Sequence, residues 1–126
     1  MCGLAGFTSP SQNDDLILKK MISSLTYRGP DFQNFHINKK IAMGHSRLMI
    51  LDPNGGHQPC VDEKSGNIMA YNGEIYNFNE ISKYLFKRNI QVNVNSDTDV
   101  LFSLLNNFGV DKAVEIIDGM FAIAYF

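Results

Sequence analysis

The spacing of apolar residues changes several times along the chain, and each change marks an element. Residues 2–7, "CGLAGF", are short, small and apolar, which predicts a buried strand. In "NDDLILKKMISSLTYRG", Leu18, Met21, Ile22 and Leu25 recur at three- and four-residue spacing. That period predicts an amphipathic helix over residues ~15–26, capped by Asn13 or Asp14. "RGPD" must be loop, because Pro30 has no N–H to donate. "NFHI" and "IAMGHSRLMIL", joined by "NKK", read as two strands around a tight turn. "DPNGGHQP" is turn chemistry. "CVDEKSGNIMAYNG" predicts a hairpin turning at Lys64–Asn67. "NFNEISKYLFKRN" is a short helix with Ile81 and Leu85 on one face, and "IQVNV" alternates as a half-buried strand. Ser96 followed three residues later by Asp99 resembles a capping box, behind which Val100, Leu101, Leu104, Leu105 and Phe108 form an apolar stripe. Residues 111–117 are a further short helix. "MFAIAYF" is a continuous apolar strand, of the kind normally covered on both faces. Strands and helices are mixed and hairpins replace regular βαβ alternation, so the class is α+β, an antiparallel sheet covered by helices.

Composition narrows the function without choosing it. The chain has 126 residues, 44% hydrophobic and 19% charged, enough to bury one domain's core. Eleven Lys and Arg against 13 Asp and Glu give a net charge of −2, so no basic field favours nucleic acid. No apolar run approaches a membrane span, and the apolar start is too short for a signal segment. These features predict a cytoplasmic protein. In a reducing compartment Cys2 and Cys60 are most simply two thiols. His36, His45 and His57 lie on separate elements without the close spacing of zinc ligands, so no metal site is expected.

Five stretches do not suit the elements they interrupt: "MCG", "RGPD", "GHSRL", "YNGEIYN" and "SDTD". Cys2 admits four readings: a buried thiol, half of a disulfide, a lipidated residue, or a residue that gains a free α-amine when Met1 is removed. Asn72-Gly73 is either a type I′ hairpin turn or, at a strand end, a side-chain amide and a backbone N–H aimed at one oxygen. Arg47 shares a strand face with His45 and Met49, while Leu48 and Ile50 point the other way. A strand arginine can be a salt-bridged surface residue, yet its planar fork also suits a carboxylate. Asp97 opens a helix, where a carboxylate is favourable in any case. With Glu74 it would complete a minimal set for an amino acid: a guanidinium for the α-carboxylate and two acids for the α-ammonium.

In order along the chain, Met-Cys-Gly, Arg-Gly-Pro-Asp, Gly-His-x-Arg-Leu, Tyr-Asn-Gly-Glu-Ile-Tyr-Asn, Ser-Asp-Thr-acid and Gly-Met-Phe-Ala resemble the class II glutamine amidotransferase domain. The set is most similar to the glutaminase domain of glutamine-hydrolysing asparagine synthetases, and it covers residues 1–126. The resemblance implies a four-layer αββα sandwich of the N-terminal nucleophile hydrolase type. It implies that Cys2 is the nucleophile, freed by loss of Met1. It implies that Asn72 and Gly73 are the oxyanion donors, and that Arg47, Glu74 and Asp97 bind the glutamine α-groups. Leu48 and Ile50 are implied to shape the substrate pocket, and strand alternation predicts that they do so through their backbone. The implied reaction turns glutamine into glutamate and ammonia through a thioester on Cys2.

The ammonia of that family goes to a second site, where ATP activates aspartate or another acid. No phosphate-binding loop occurs in this sequence, so ATP and Mg are expected only in a synthetase domain or partner chain outside it. No cofactor is expected in these residues. Glutamine is the expected small-molecule partner, nucleic acid and membrane are not expected, and a homodimer is allowed for. Because "MFAIAYF" is a central-strand sequence, its position at the end predicts a domain cut short or completed by another chain. The competing reading is an interaction module that keeps the site residues without the activity.

Overall fold

A computed structural model describes residues 2–49 and 57–126. It has six strands and three helices among the described residues. The strands are β1 (Gly3–Thr8), β2 (Phe32–Ile37), β3 (Ile41–Arg47), β4 (Cys60–Val61), β5 (Ile68–Ile75) and β6 (Gly119–Tyr125). The helices are α1 (Asp15–Ser23), α2 (Phe78–Phe86) and α3 (Asp97–Ile116). Two three-stranded sheets form, in the orders β1-β3-β2 and β4-β5-β6. The α+β class expected from the sequence is the observed one. The chain divides into two compact units: residues 1–51, 57–72 and 122–126, and residues 52–56 and 73–121.

The first unit is built on β3, every residue of which is buried. It pairs antiparallel with β1, Gly3 opposite Ser46, and with β2, Phe32 opposite Arg47. Successive side chains of a strand point to opposite faces. Ala42 therefore joins Leu18 and Ile22 of α1, while Ile41 and Met43 join Ile68 and Ala70 of β5. A helix, a sheet and part of the second sheet thus stack with an apolar cluster in each interval. Burying such side chains contributes on the order of 2 kcal/mol apiece.

The "RGPD" loop is tied to the end of β3. The Asp31 N–H donates to Arg47 O at 3.0 Å, and the Asp31 carboxylate accepts the Met49 N–H at 2.8 Å. The Ser46 hydroxyl donates to Gly29 O at 2.7 Å. The motif therefore replaces the ladder that β2 cannot extend beyond Phe32.

In the second unit α2 carries Ile81 and Leu85 inward, as their i,i+4 spacing predicts. Ser96 caps α3, its hydroxyl accepting the Asp99 N–H at 3.2 Å. The return arm of the expected box is replaced, because the Asp99 carboxylate accepts from Asn93 Nδ2. Gly109, at φ 77° and ψ 172°, breaks α3. The expected separate helix over residues 111–117 is the segment beyond this break. A side chain there would strain a left-handed φ, which glycine adopts freely.

Several expectations are corrected. Asp14 sits at the N-cap of α1, but its carboxylate accepts from the Ser11 N–H and makes no cap bond. The expected strand "IQVNV" does not form. The Ile90 N–H bonds back to Leu85 O at the end of α2, and Asn93 turns the chain by accepting from the Asn95 N–H. β3 ends at Arg47, short of the run to Leu51. β6 is not covered on both faces among the described residues: Met120 is 54% exposed and Phe121 43%. The "DPNGGHQP" turn lies mostly outside the described residues.

Candidate active site

Strand register brings the sequence-predicted residues of the first unit together. Gly3 pairs with Ser46, so continuing the ladder sets Cys2 opposite Arg47, the last residue of β3. Cys2 is half-buried and its thiol lies against the backbone that follows β3. The Leu48 N–H donates to Cys2 Sγ at 3.4 Å, and Sγ reaches Leu48 O at 3.8 Å. The backbone of one residue thus offers a donor for a thiolate and an acceptor for a thiol. Leu48 makes these contacts through its backbone. The Cys60 thiol donates to His57 O at 3.4 Å.

The Cys2 nitrogen donates to Asn72 Oδ1 at 2.8 Å. An N–H selects the carbonyl end of a carboxamide, so the Nδ2 end of Asn72 is left to serve other acceptors. Asn72-Gly73 is not a hairpin turn, since β5 runs through it from Ile68 to Ile75. Gly73 stands where β6 passes close: a Cβ there would lie 2.1 Å from Met120 O. The close strand, not a turn, requires the glycine.

Arg28 was absent from the sequence-derived set. Its Nε donates to Cys2 O at 3.0 Å, so the guanidinium steadies the peptide that carries the thiol. Its signal in the sequence is the arginine of "RGPD", a motif whose Gly29 and Pro30 are explained by the loop while Arg28 is not. Arg47 is 7% exposed, buried at the end of β3.

The second unit holds Gly73, Glu74 and Asp97. The Asp97 carboxylate accepts the Ile75 N–H at 3.2 Å, which places it beside the exposed Glu74. Asp97 also sits in the first turn of α3, where backbone N–H groups favour an anion. The two acids are therefore neighbours. Met1 and Ile50 lie outside the described residues.

His45 is 1% exposed and its Nε2 contacts Tyr71 O at 3.1 Å. Burial lowers its pKa to about 4; the Tyr71 carbonyl opposes the shift and Arg47 adds to it. The ring is therefore neutral near pH 7, with Nε2–H donating. Unfolding would return it to the ordinary value of 6.5. Between these values the unfolded chain binds more protons, so stability falls as pH drops from 6.5 toward 4. The full effect is on the order of 3 kcal/mol. His45→Gln is expected to lack this component. The difference in denaturant midpoint between parent and variant should shrink over that window, and parallel pH slopes would refute it.

The glutamine amidotransferase domain family matches residues 1–126. The chain belongs to that family. It is 38% identical to asparagine synthetase [glutamine-hydrolyzing] 2 of Bacillus subtilis, over 98% of this chain and 17% of the relative. It is 34% identical to asparagine synthetase [glutamine-hydrolyzing] 1 of Arabidopsis thaliana, over 97% of this chain and 21% of the relative. The chain spans about a fifth of the length of these relatives. A solved allosteric regulatory enzyme of purine biosynthesis superposes with a TM-score of 0.57 at 23% identity, over 71% of this chain and 22% of that one. That likeness carries the fold alone, an α+β arrangement of the kind expected from the sequence. Among the described residues no helix is long and apolar enough to cross a membrane.

Proposed function

We propose that this domain hydrolyses glutamine to glutamate and ammonia, with Cys2 as nucleophile. The observation that carries the reading is the double hold on Cys2: its nitrogen on Asn72 Oδ1 at 2.8 Å and its sulfur on the Leu48 N–H at 3.4 Å. Once Met1 is removed, the Cys2 nitrogen is an α-amine with an ordinary pKa of about 7.7–8.0. Such an amine can donate to Asn72 and accept the thiol proton on its lone pair. Sγ attacks the glutamine side-chain carbon, the C–N bond breaks, and the amine returns the proton to the departing ammonia. Water then adds to the thioester, the C–S bond breaks, glutamate leaves and Sγ regains a proton. Asn72 Nδ2 and the Gly73 N–H are assigned to the oxyanion. Arg47 is assigned to the α-carboxylate and Glu74 and Asp97 to the α-ammonium, with Leu48 and Ile50 shaping the substrate pocket. The ammonia would amidate aspartate or another acid in an ATP-dependent synthetase portion in the cytoplasm.

Intact mass before and after an electrophilic diazo-ketone analogue of glutamine tests this reading. Loss of Met1 and one adduct on Cys2, suppressed by excess glutamine, is the expected result. Retention of Met1, or its loss with no adduct, would overturn it.

A further inference from the structure

The buried His45 and Gln58 do not belong to the proposed reacting set, yet both end on the backbone of one residue, Tyr71. β4 pairs with β5 only at Cys60–Met69 and Val61–Ile68. Continuing that register places Gln58 opposite Tyr71, where β4 has already ended. The Tyr71 N–H and C=O point to the same side of β5, beyond the end of β4. Tyr71 is 2% exposed, so both groups sit away from solvent. Two side chains reach them. Gln58 Oε1 accepts the Tyr71 N–H, and His45 Nε2 meets Tyr71 O at 3.1 Å. Both are nearly buried, Gln58 at 6%. The next residue is Asn72, whose carboxamide holds the Cys2 nitrogen.

We propose that His45 and Gln58 are positioning residues that clamp the two peptide groups flanking the Tyr71 Cα, Gln58 on the N–H before it and His45 on the C=O after it, and thereby aim Asn72 at the Cys2 nitrogen. The clamp rests on the reading of Cys2 as nucleophile for its consequence, but not for its geometry. Holding the peptide groups on both sides of the Tyr71 Cα from two elements fixes the height and the rotation of the strand as it enters Asn72. Either bond alone would anchor only one of the two peptide planes. His45 comes from β3, the strand that ends at Arg47, and Gln58 from the approach to β4, so the clamp also joins the two sheets of the first unit. An error of about 1 Å in a reacting group can cost roughly a hundredfold in rate.

The test compares His45→Leu and Gln58→Leu with the conservative His45→Gln and Gln58→Glu, in the whole chain. Leu18→Ala, a core truncation in α1, is the control for lost stability. Two readings are taken where thermal unfolding shows a folded protein: kcat and KM for glutamine, and the pH profile of Cys2 alkylation by iodoacetamide. The leucine variants are expected to lose kcat about 10–100-fold with KM within roughly threefold. Their alkylation midpoint should move by about half a pH unit or more. The conservative variants should recover most of both, and Leu18→Ala should change neither. Where a leucine variant does not fold, Gln58→Ser, too short to reach the Tyr71 N–H, takes its place with the same expectations. Parental kcat and alkylation profile in the folded variants would overturn the clamp. A parent chain that turns over no glutamine, with alkylation profiles still shifted in the variants, would overturn the proposed function and leave the clamp standing.

Discussion

Cys2→Ala is expected to abolish glutamine hydrolysis, by at least about 10⁴-fold in kcat, while leaving the thermal midpoint within a few degrees of the parent. The size follows from the chemistry. Removing a covalent nucleophile removes the whole two-step route, and what remains is whatever binding and oxyanion donors do for direct attack by water. The small structural effect follows from the packing. The Cys2 thiol is half-buried and its contacts are to the Leu48 backbone, at 3.4 and 3.8 Å, so its loss opens no core cavity. The nitrogen that bonds Asn72 Oδ1 and the carbonyl that accepts from Arg28 stay in place. Glutamine should still bind, which equilibrium dialysis against labelled glutamine would read. Hydrolysis persisting in Cys2→Ala would remove Cys2 from the mechanism. Loss of binding together with hydrolysis would mean that the substitution had damaged more than the nucleophile.

What the sequence made legible, and what it hid, has a physical pattern. Elements whose period is set by burial were readable: α1 by Leu18 and Ile22, α2 by Ile81 and Leu85, and the faces of β3 by simple alternation. The separate helix expected over residues 111–117 is the part of α3 beyond Gly109, whose φ of 77° interrupts the helix. "IQVNV" misled because alternation over five residues costs little to produce by chance. Its backbone closes α2 through Ile90 and turns at Asn93, and a strand needs a neighbour. Asn72-Gly73 stayed ambiguous because the turn and the strand reading both want glycine. Only the passage of β6, which leaves no room for a Cβ, separates them. The family motifs marked Cys2, Arg47 and Asn72 one at a time. They could not show that Cys2 reaches Asn72 with its nitrogen, nor that His45 and Gln58 meet on Tyr71. Those are contacts across 70, 26 and 13 positions, which no local spacing encodes.

Asn72 carries the second large effect, and its two ends can be tested separately. Asn72→Ala removes the acceptor for the Cys2 nitrogen together with the donor assigned to the oxyanion. Loss of one oxyanion donor typically costs about 10²–10³ in kcat, so the alanine variant should fall at least that far. Asn72→Asp is the sharper variant. It is isosteric, and a carboxylate oxygen can still accept from the Cys2 nitrogen, now with a charge that strengthens the bond. Its other oxygen stands where Nδ2 stood and repels the negative charge that develops on the substrate oxygen. If the oxyanion role is right, Asn72→Asp should be as slow as Asn72→Ala or slower, although Cys2 is held as before. The bound negative charge should also slow alkylation of Cys2 by iodoacetate more than by neutral iodoacetamide. If Asn72 acts only by holding the nitrogen, the aspartate variant should keep kcat within a few-fold of the parent. That outcome would reassign the oxyanion to the Gly73 N–H alone. It would also make the grip on Cys2, set through the Tyr71 backbone, the whole contribution of Asn72.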